Sequence, residues 1–382
     1  MADKVFIHLG LPKTATTYLQ TILWGSRDRL RAEGLLLPGR ERRDHLWASR
    51  VVREAPQLSQ APKAHRTAWD RLLAEVRSWP GTALISHEFF GAASAEQAAR
   101  MIGQLAPAEV HLVATAREPL GLFTASWQES LKNRRTTPMA EYARQVSDSP
   151  NAIWNWRTLD LRLVLERWAE NVPAERVHVL PLATAAPREA IWHEFGGLLG
   201  LSTASYDLSQ SSPNESMGVV EAETLRRVNQ HLGSFERSFD RGVYIRTFLA
   251  DERLVPRRGE RFWPEEDRIE ECRVRGRDAV EYVRARGFDV RGDLDDLLVP
   301  DAIEPRRVPS SVTDSEVSEV AVELVARLLG DVRELRSARR GDTRHPGDGG
   351  AANRQPRPAM VATALMKKWS LTLRRVGLRS SQ

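Results

Sequence analysis

The sequence predicts an α/β protein: a three-layer parallel sheet flanked by helices, with a helical extension at its C-terminal end. Two patterns predict it. Short apolar runs of strand length alternate with segments of helical periodicity as far as residue 182, the signature of a parallel sheet covered on both faces. The chain also opens with strand, glycine turn and helix in immediate succession, the first step of such a unit.

Taken in order, residues 4–9 (KVFIHL) form the first strand and stop at Gly10-Leu11-Pro12. Helical spacing follows from Thr16 to Ala32. Residues 64–78 form a helix on Trp69, Leu72, Leu73 and Val76, and Pro80-Gly81 ends it. The run TALIS, 82–86, is a strand, 94–105 a helix, and EVHLVATA, 109–116, a strong strand. Helices at 119–132 and 157–170 and a strand at 177–182 complete the alternation. Later segments are helical near 188–199, 219–231, 265–286 and 313–339, with an arginine-dense loop at 253–264. There is no internal repeat.

The chain of 382 residues suits one large domain with additions, or two domains. Its single cysteine, Cys272, excludes an internal disulfide framework and a cysteine metal cluster, and fits a reducing cytoplasm. The opening apolar run is too short for a secretory signal and reads as a strand. No apolar run approaches the ~20 residues that span a bilayer. The net charge of +5 resides in the tail, where Lys367, Lys368, Arg374, Arg375 and Arg379 stand without an acid after residue 359. Residues 1–359 are neutral overall, so the body lacks the basic footprint of a nucleic-acid binder.

The chemistry concentrates in Gly10-Leu-Pro-Lys-Thr-Ala-Thr-Thr17. A turn leaving a strand and entering a helix aims backbone N–H groups at one point, where the helix adds partial positive charge. Lys13 supplies a full charge, and Thr14, Thr16 and Thr17 supply hydroxyl donors. The loop is shorter than that of nucleotide triphosphatases, which needs a second glycine directly before the lysine. It suits a single phosphate with a group attached.

GLPKTATTYLQ resembles the 5′-phosphosulfate loop of the sulfotransferase family, roughly G-x-P-K-[ST]-G-[ST]-[ST], with Ala15 in place of a glycine. The resemblance implies the fold that family shares with P-loop nucleotidases. It also implies 3′-phosphoadenosine 5′-phosphosulfate as co-substrate, without a metal, held at the 5′ end by Gly10, Pro12, Lys13, Thr14, Ala15, Thr16 and Thr17. In the family an arginine after a later strand, and a serine eight residues on, hold the 3′-phosphate. Arg117 occupies the first place here; the eighth position is Ala125, so Thr124 or Ser126 substitutes or the helix shifts by one residue. The segment Pro256-Arg257-Arg258-Gly259 is loosely similar to the family's late Arg-Lys-Gly closure over that phosphate, although Arg253, Arg257, Arg258 and Arg261 also read as a solvated charge run. Ser86-His87-Glu88 and Asn214-Glu215-Ser216-Met217-Gly218 are similar to motifs of a bacterial sulfotransferase subfamily.

The resemblance covers about residues 1–300. It implies transfer of a sulfuryl group to a hydroxyl or amine by in-line displacement, with Lys13 stabilising the leaving phosphate. His87 is the first candidate for the base that deprotonates the acceptor, Glu88 the second and His45 the third. The acceptor is a small molecule, carbohydrate, lipid or peptide tyrosine; Trp154 and Trp156 either stack on it or pack in the core. A kinase of the P-loop type and a non-catalytic relative remain as alternatives. The expected organisation is a sulfotransferase domain at 1–300, a helical extension at 301–340, a disordered linker at 341–358 and a basic amphipathic tail at 359–382. The tail is either a solvated segment or a peripheral membrane contact of a cytoplasmic protein.

Overall fold

The computed structural model describes residues 1–183, 186–209 and 216–342. The expected linker at 341–358, apart from its first two residues, and the basic tail at 359–382 lie outside the described residues. The chain divides into two compact units, Met1–Val312 and a second that begins at Thr313.

The first unit is built on six parallel strands in the order β2-β3-β1-β4-β5-β6. They are β1 (Lys4–His8), β2 (Leu35–Leu36), β3 (Thr82–Ser86), β4 (Glu109–Ala116), β5 (Val177–Pro181) and β6 (Asp289–Val290). The central strands read as unbroken apolar runs because both faces are covered. Phe6, Leu84, Val113 and Leu180 pack into one layer with Tyr18, Leu19, Ile22 and Leu23 of α1 (Thr16–Gly25). Alternate residues Val5, Ile7, Ala83, Ile85, Leu112 and Ala114 are equally buried and face the other layer.

The helix expected over Thr16–Ala32 is broken at Ser26 into α1 and α2 (Arg27–Ala32). Between β2 and β3 run α3 (Arg42–Val52), α4 (Lys63–Arg66) and α5 (Ala68–Ser78). α3 starts with a capping box formed by Glu41 and Asp44. Next come α6 (Ala95–Gln104) and α7 (Pro119–Lys132). The expected helix at 157–170 is two, α8 (Trp156–Leu159) and α9 (Leu161–Trp168), because Asp160 turns extended and caps the second through Leu163 N–H.

Beyond β5 the first unit adds α10 (Ala190–Leu198), α11 (Val219–Asn229), α12 (Ser238–Asp240) and α13 (Glu266–Arg286). The segment Arg241–Leu254 is wound as a π-helix, so the first residues of the expected arginine-dense loop are helical. In the second unit the described element is α14 (Asp314–Asp342), started by a reciprocal pair in which Thr313 N–H donates to Glu316 Oε2 at 2.9 Å and Glu316 N–H to Thr313 Oγ1 at 3.3 Å. No helix among the described residues is long and apolar enough to cross a membrane.

The strand order fixes where a ligand can sit. After β1 the chain builds β2 and β3 on one side, then crosses to β4 on the other. Open parallel sheets bind ligands at such a reversal, outside the carboxyl ends of the strands. Register places His8 level with Ser86 on one flank and Val113 on the other.

Candidate active site

Past β1 the chain stays fastened to β4, with Leu9 N–H donating to Val113 O and Leu11 N–H to Thr115 O. The backbone then enters the left-handed region at Gly10 (φ 40°), Lys13 (φ 68°) and Ala15 (φ 61°). Alternation of this kind turns successive amides to one side, as in anion-binding nests. The amides of Lys13, Thr14, Ala15 and Thr16 find no acceptor among the described residues. Gly10 is also required for space: a Cβ there would lie 2.7 Å from Thr16 Oγ1 and 3.0 Å from His8 Nε2. Thr16 Oγ1 is itself buried without a hydrogen-bond partner. A bare glycine, an orphaned hydroxyl and a row of open amides are the features that a bound phosphate would complete.

A directional hydrogen-bond chain holds this loop from beneath. Thr14 Oγ1 donates to Leu11 O at 2.6 Å, which leaves its oxygen to accept from Thr115 Oγ1 at 2.9 Å. Thr115 therefore accepts from His8 Nε2–H at 3.1 Å. His8 Nδ1 then accepts from Ser86 Oγ at 2.9 Å. The chain of donors fixes the His8 tautomer. Burial, against the opposing pull of Glu88, lowers the His8 pKa to about 4. The Thr14 hydroxyl is thus part of the support, which leaves its amide to a ligand, whereas Thr17 is exposed and lies 3.4 Å from Arg42 Nη2.

Lys13 keeps about a quarter of its side chain exposed, and its Nζ lies 3.4 Å from Glu129 Oε2. Glu129, on α7, also pairs with Arg246 of the π-helix. Burial alone would raise the Glu129 pKa; Arg246, Lys13 and Lys132 outweigh it and hold the carboxyl down to about 2. Neither Glu129 nor Arg246 was singled out in the sequence.

β3 delivers the next candidates. His87 N–H donates to His8 O at 3.2 Å, so the backbone after β3 runs beside the loop. His87 is almost fully buried, and its Nδ1 accepts from Phe89 N–H at 3.1 Å. Burial and then the cations of Arg42, Arg53 and Arg50 hold its pKa well below the usual value. With Nδ1 accepting in the neutral ring, the proton sits on Nε2, and neither nitrogen offers a lone pair to an acceptor hydroxyl. In this structure the ring serves as a cap, with neither nitrogen free to take a proton, which does not favour the expectation of His87 as base.

His45 is likewise occupied. Its Nε2 donates to Pro38 O at 2.8 Å and its Nδ1 accepts from Ser86 N–H at 3.0 Å, which ties α3 to β3. Glu88 differs. Its side chain is 19% exposed, its Oε2 is buried without a hydrogen-bond partner 3.6 Å from His87 Nδ1, and burial raises its pKa, with Arg42 and His8 opposing.

On the other flank, β4 is followed by Arg117, whose Nη2 lies 3.2 Å from Glu118 Oε1 and whose side chain is about a third exposed. Glu118 caps α7 through Gly121 N–H. Ser126 is fully buried and hydrogen-bonded to Tyr142 OH at 2.7 Å. Its expected contact with a 3′-phosphate is excluded, because its hydroxyl faces the core. Thr124 donates to Leu120 O and is equally withdrawn. The half-exposed face of α7 after Arg117 instead carries Gly121 and Ala125.

Arg257 departs from expectation too. Its Nε lies 2.9 Å from Glu221 Oε1, which fastens the 255–259 segment to α11. The backbones of Gly218 and Gly259 approach so closely that a Cβ on Gly218 would fall 2.5 Å from Gly259 Cα. Arg258 is exposed with φ 52°. Of the late motif, Asn214 and Glu215 lie outside the described residues; Met217 N–H is held by Gln128 Oε1 of α7 at 2.9 Å. Arg253 packs 3.4 Å over the Phe248 ring. Trp156 is a core residue stacked on Phe123, and Trp154 is half-buried edge-on to Phe89. Cys272 is buried with its thiol pKa pushed up, so it is inert.

Among the described residues, no group of three or more histidine, cysteine or acidic side chains could hold a metal ion. No family model and no curated protein sequence matches the chain. Among solved structures, a sulfotransferase from Alicyclobacillus acidocaldarius matches at a TM-score of 0.37 and 16% identity, over 56% of this chain and 87% of that one. A likeness at that level carries no inference about activity; the α/β architecture stands on the strand order and register above.

Proposed function

We propose that this chain is a sulfotransferase that uses 3′-phosphoadenosine 5′-phosphosulfate and passes its sulfuryl group to an acceptor hydroxyl or amine. One observation carries the reading: the loop between β1 and α1 presents open amides, the orphaned Thr16 hydroxyl and Lys13 at the carboxyl edge of the sheet, with Glu88 just past the end of the neighbouring β3. The donor supplies a sulfur centre attached to a phosphate leaving group. Lys13 and the loop amides stabilise the charge that grows on that phosphate as its bond to sulfur breaks. Glu88 takes the proton of the acceptor as the acceptor oxygen or nitrogen bonds to sulfur, and its raised pKa suits that role. Arg117 remains as the 3′-phosphate contact.

A second reading, a nucleotide-binding protein without turnover, is favoured by one feature, the core-facing Ser126. Calorimetry with adenosine 3′,5′-bisphosphate on wild type and Lys13→Ala tests both readings. Micromolar binding that Lys13→Ala weakens supports a donor site; absence of binding rejects it. Transfer from labelled donor across an acceptor screen then separates enzyme from binder.

A further inference from the structure

We infer that α14 is a dimerisation helix, which pairs antiparallel with α14 of a second copy of this chain. The inference stands apart from the donor reading above and does not depend on it.

An exposed apolar row on α14 carries it. The helix buries Val320 and Leu324. On another side Val322, Val325, Leu329, Val332 and Leu335 stand between 44% and 70% exposed. Large apolar side chains gathered in one patch mark an association surface, whereas scattered ones do not. The steps of three, four and three residues from Val322 to Val332 are the a/d spacing of a two-helix seam.

Charge selects the occupant and its direction. From Asp314 to Glu323 the helix carries four acids and no base, whereas Arg327, Arg333 and Arg336 follow, with Asp331 and Glu334 between them. An antiparallel copy lays the acidic half against the half that bears the arginines. Turned about residues 326–327, Val322 layers on Val332 of the second copy, and Val325 on Leu329 of the second copy. The same register sets Arg333 beside Glu319 of the second copy. These two residues stand fourteen apart and within about 40° of each other on one border of the row. Both are exposed, and among the described residues neither has an ion-pair partner. Parallel pairing would instead set Arg336, which continues the row, against its own counterpart. A lipid surface fits less well, because helices that lie on membranes carry basic polar faces, and acids hold the N-terminal half here.

The test is sedimentation equilibrium of the full chain between about 1 and 100 µM. The mass should rise with concentration from that of the monomer toward that of the dimer. Leu329→Lys should hold it at the monomer; Leu329 is 66% exposed, so the fold tolerates the change. Arg333→Glu and Glu319→Arg should each weaken association about tenfold, because each sets like charges opposite at both symmetry-related places. The two together should restore it to within about threefold of wild type. A full chain that stays monomeric, its row covered by its own tail or by nothing, overturns the inference. So does a dimer that Leu329→Lys leaves intact, or one whose charge reversals have no effect or do not rescue each other.

Discussion

Lys13 Nζ rests 3.4 Å from Glu129 Oε2, so the cation of the loop is held by a carboxylate from α7. The same carboxylate holds Arg246, and the three charges form one partly buried unit. Glu129→Gln should destabilise the protein by on the order of 3 kcal/mol in urea unfolding, because Arg246 loses its partner. It should also tighten adenosine 3′,5′-bisphosphate, since a negative charge near the anion site disappears and Lys13 is released. The gain is about 1–2 kcal/mol, roughly five- to thirtyfold. Weaker binding in the variant would mean that Glu129 does not compete for Lys13.

Ala15 caps α1 at φ 61° and ψ 6°, in the left-handed region where a Cβ crowds the following carbonyl. Ala15→Gly should therefore stabilise the folded state by about 1 kcal/mol, despite the added freedom of glycine in the unfolded chain. The check is the urea midpoint, with the m-value unchanged. A lower midpoint would show that the methyl packs favourably.

His8 is fully buried, and desolvation holds it neutral down to about pH 4. The unfolded chain protonates the same ring near 6.5, so below that pH the unfolded state binds the extra proton. The stabilisation is complete above about 6.5 and is lost as pH falls toward 4, about 3 kcal/mol over the window. Urea unfolding between pH 4 and 7 should show this slope, and His8→Ala should flatten it by about one proton. An equal slope in the variant would assign the acid sensitivity elsewhere.

Arg117 and Ser126 make opposite predictions for the 3′-phosphate. Arg117→Gln should weaken adenosine 3′,5′-bisphosphate about tenfold or more, while leaving adenosine 5′-monophosphate nearly unchanged. Ser126→Ala should leave both affinities within about twofold and cost roughly 1 kcal/mol of stability through Tyr142. Ala125→Ser, on the half-exposed face of α7, should tighten the bisphosphate if a hydroxyl there meets the same phosphate.

The sequence made the central strands and the loop legible for a physical reason. A strand buried on both faces has an unbroken apolar run, and β3, β4 and α7 have the boundaries that the pattern predicts. The two-residue strands β2 and β6 carry no period to detect. The π-helix 241–254 does not repeat every 3.6 residues, so its apolar positions form no stripe. Ser126 shows how sharply one helical step matters: a shift of one residue turns a side chain by about 100°, here from the half-exposed face into the core. Glu129 was illegible because its meaning lies in Lys13 and Arg246, each more than a hundred residues away. The resemblance offers His87 as a base, whereas its hydrogen bond from Phe89 N–H, which makes it a cap here, is visible only in the folded backbone.

His87 and Glu88 differ in what each can accept in this structure. His87 Nδ1 is occupied by Phe89 N–H and its Nε2 carries the proton, so His87→Asn, whose amide oxygen can still cap Phe89, should keep transfer within about tenfold. Glu88 Oε2 is buried without a hydrogen-bond partner, 3.6 Å from His87 Nδ1, and its pKa lies above the ordinary carboxylate value. Glu88→Gln should lower transfer by about a hundredfold to ten-thousandfold with bisphosphate binding intact. The base must be ionised, so the rate should rise with pH through a limb lying above 4.5, and that limb should vanish in Glu88→Gln. A pH profile of transfer from labelled donor reads both. A limb that survives in Glu88→Gln and disappears in His87→Asn would return the proton to the histidine and require the cap at Phe89 to open during turnover.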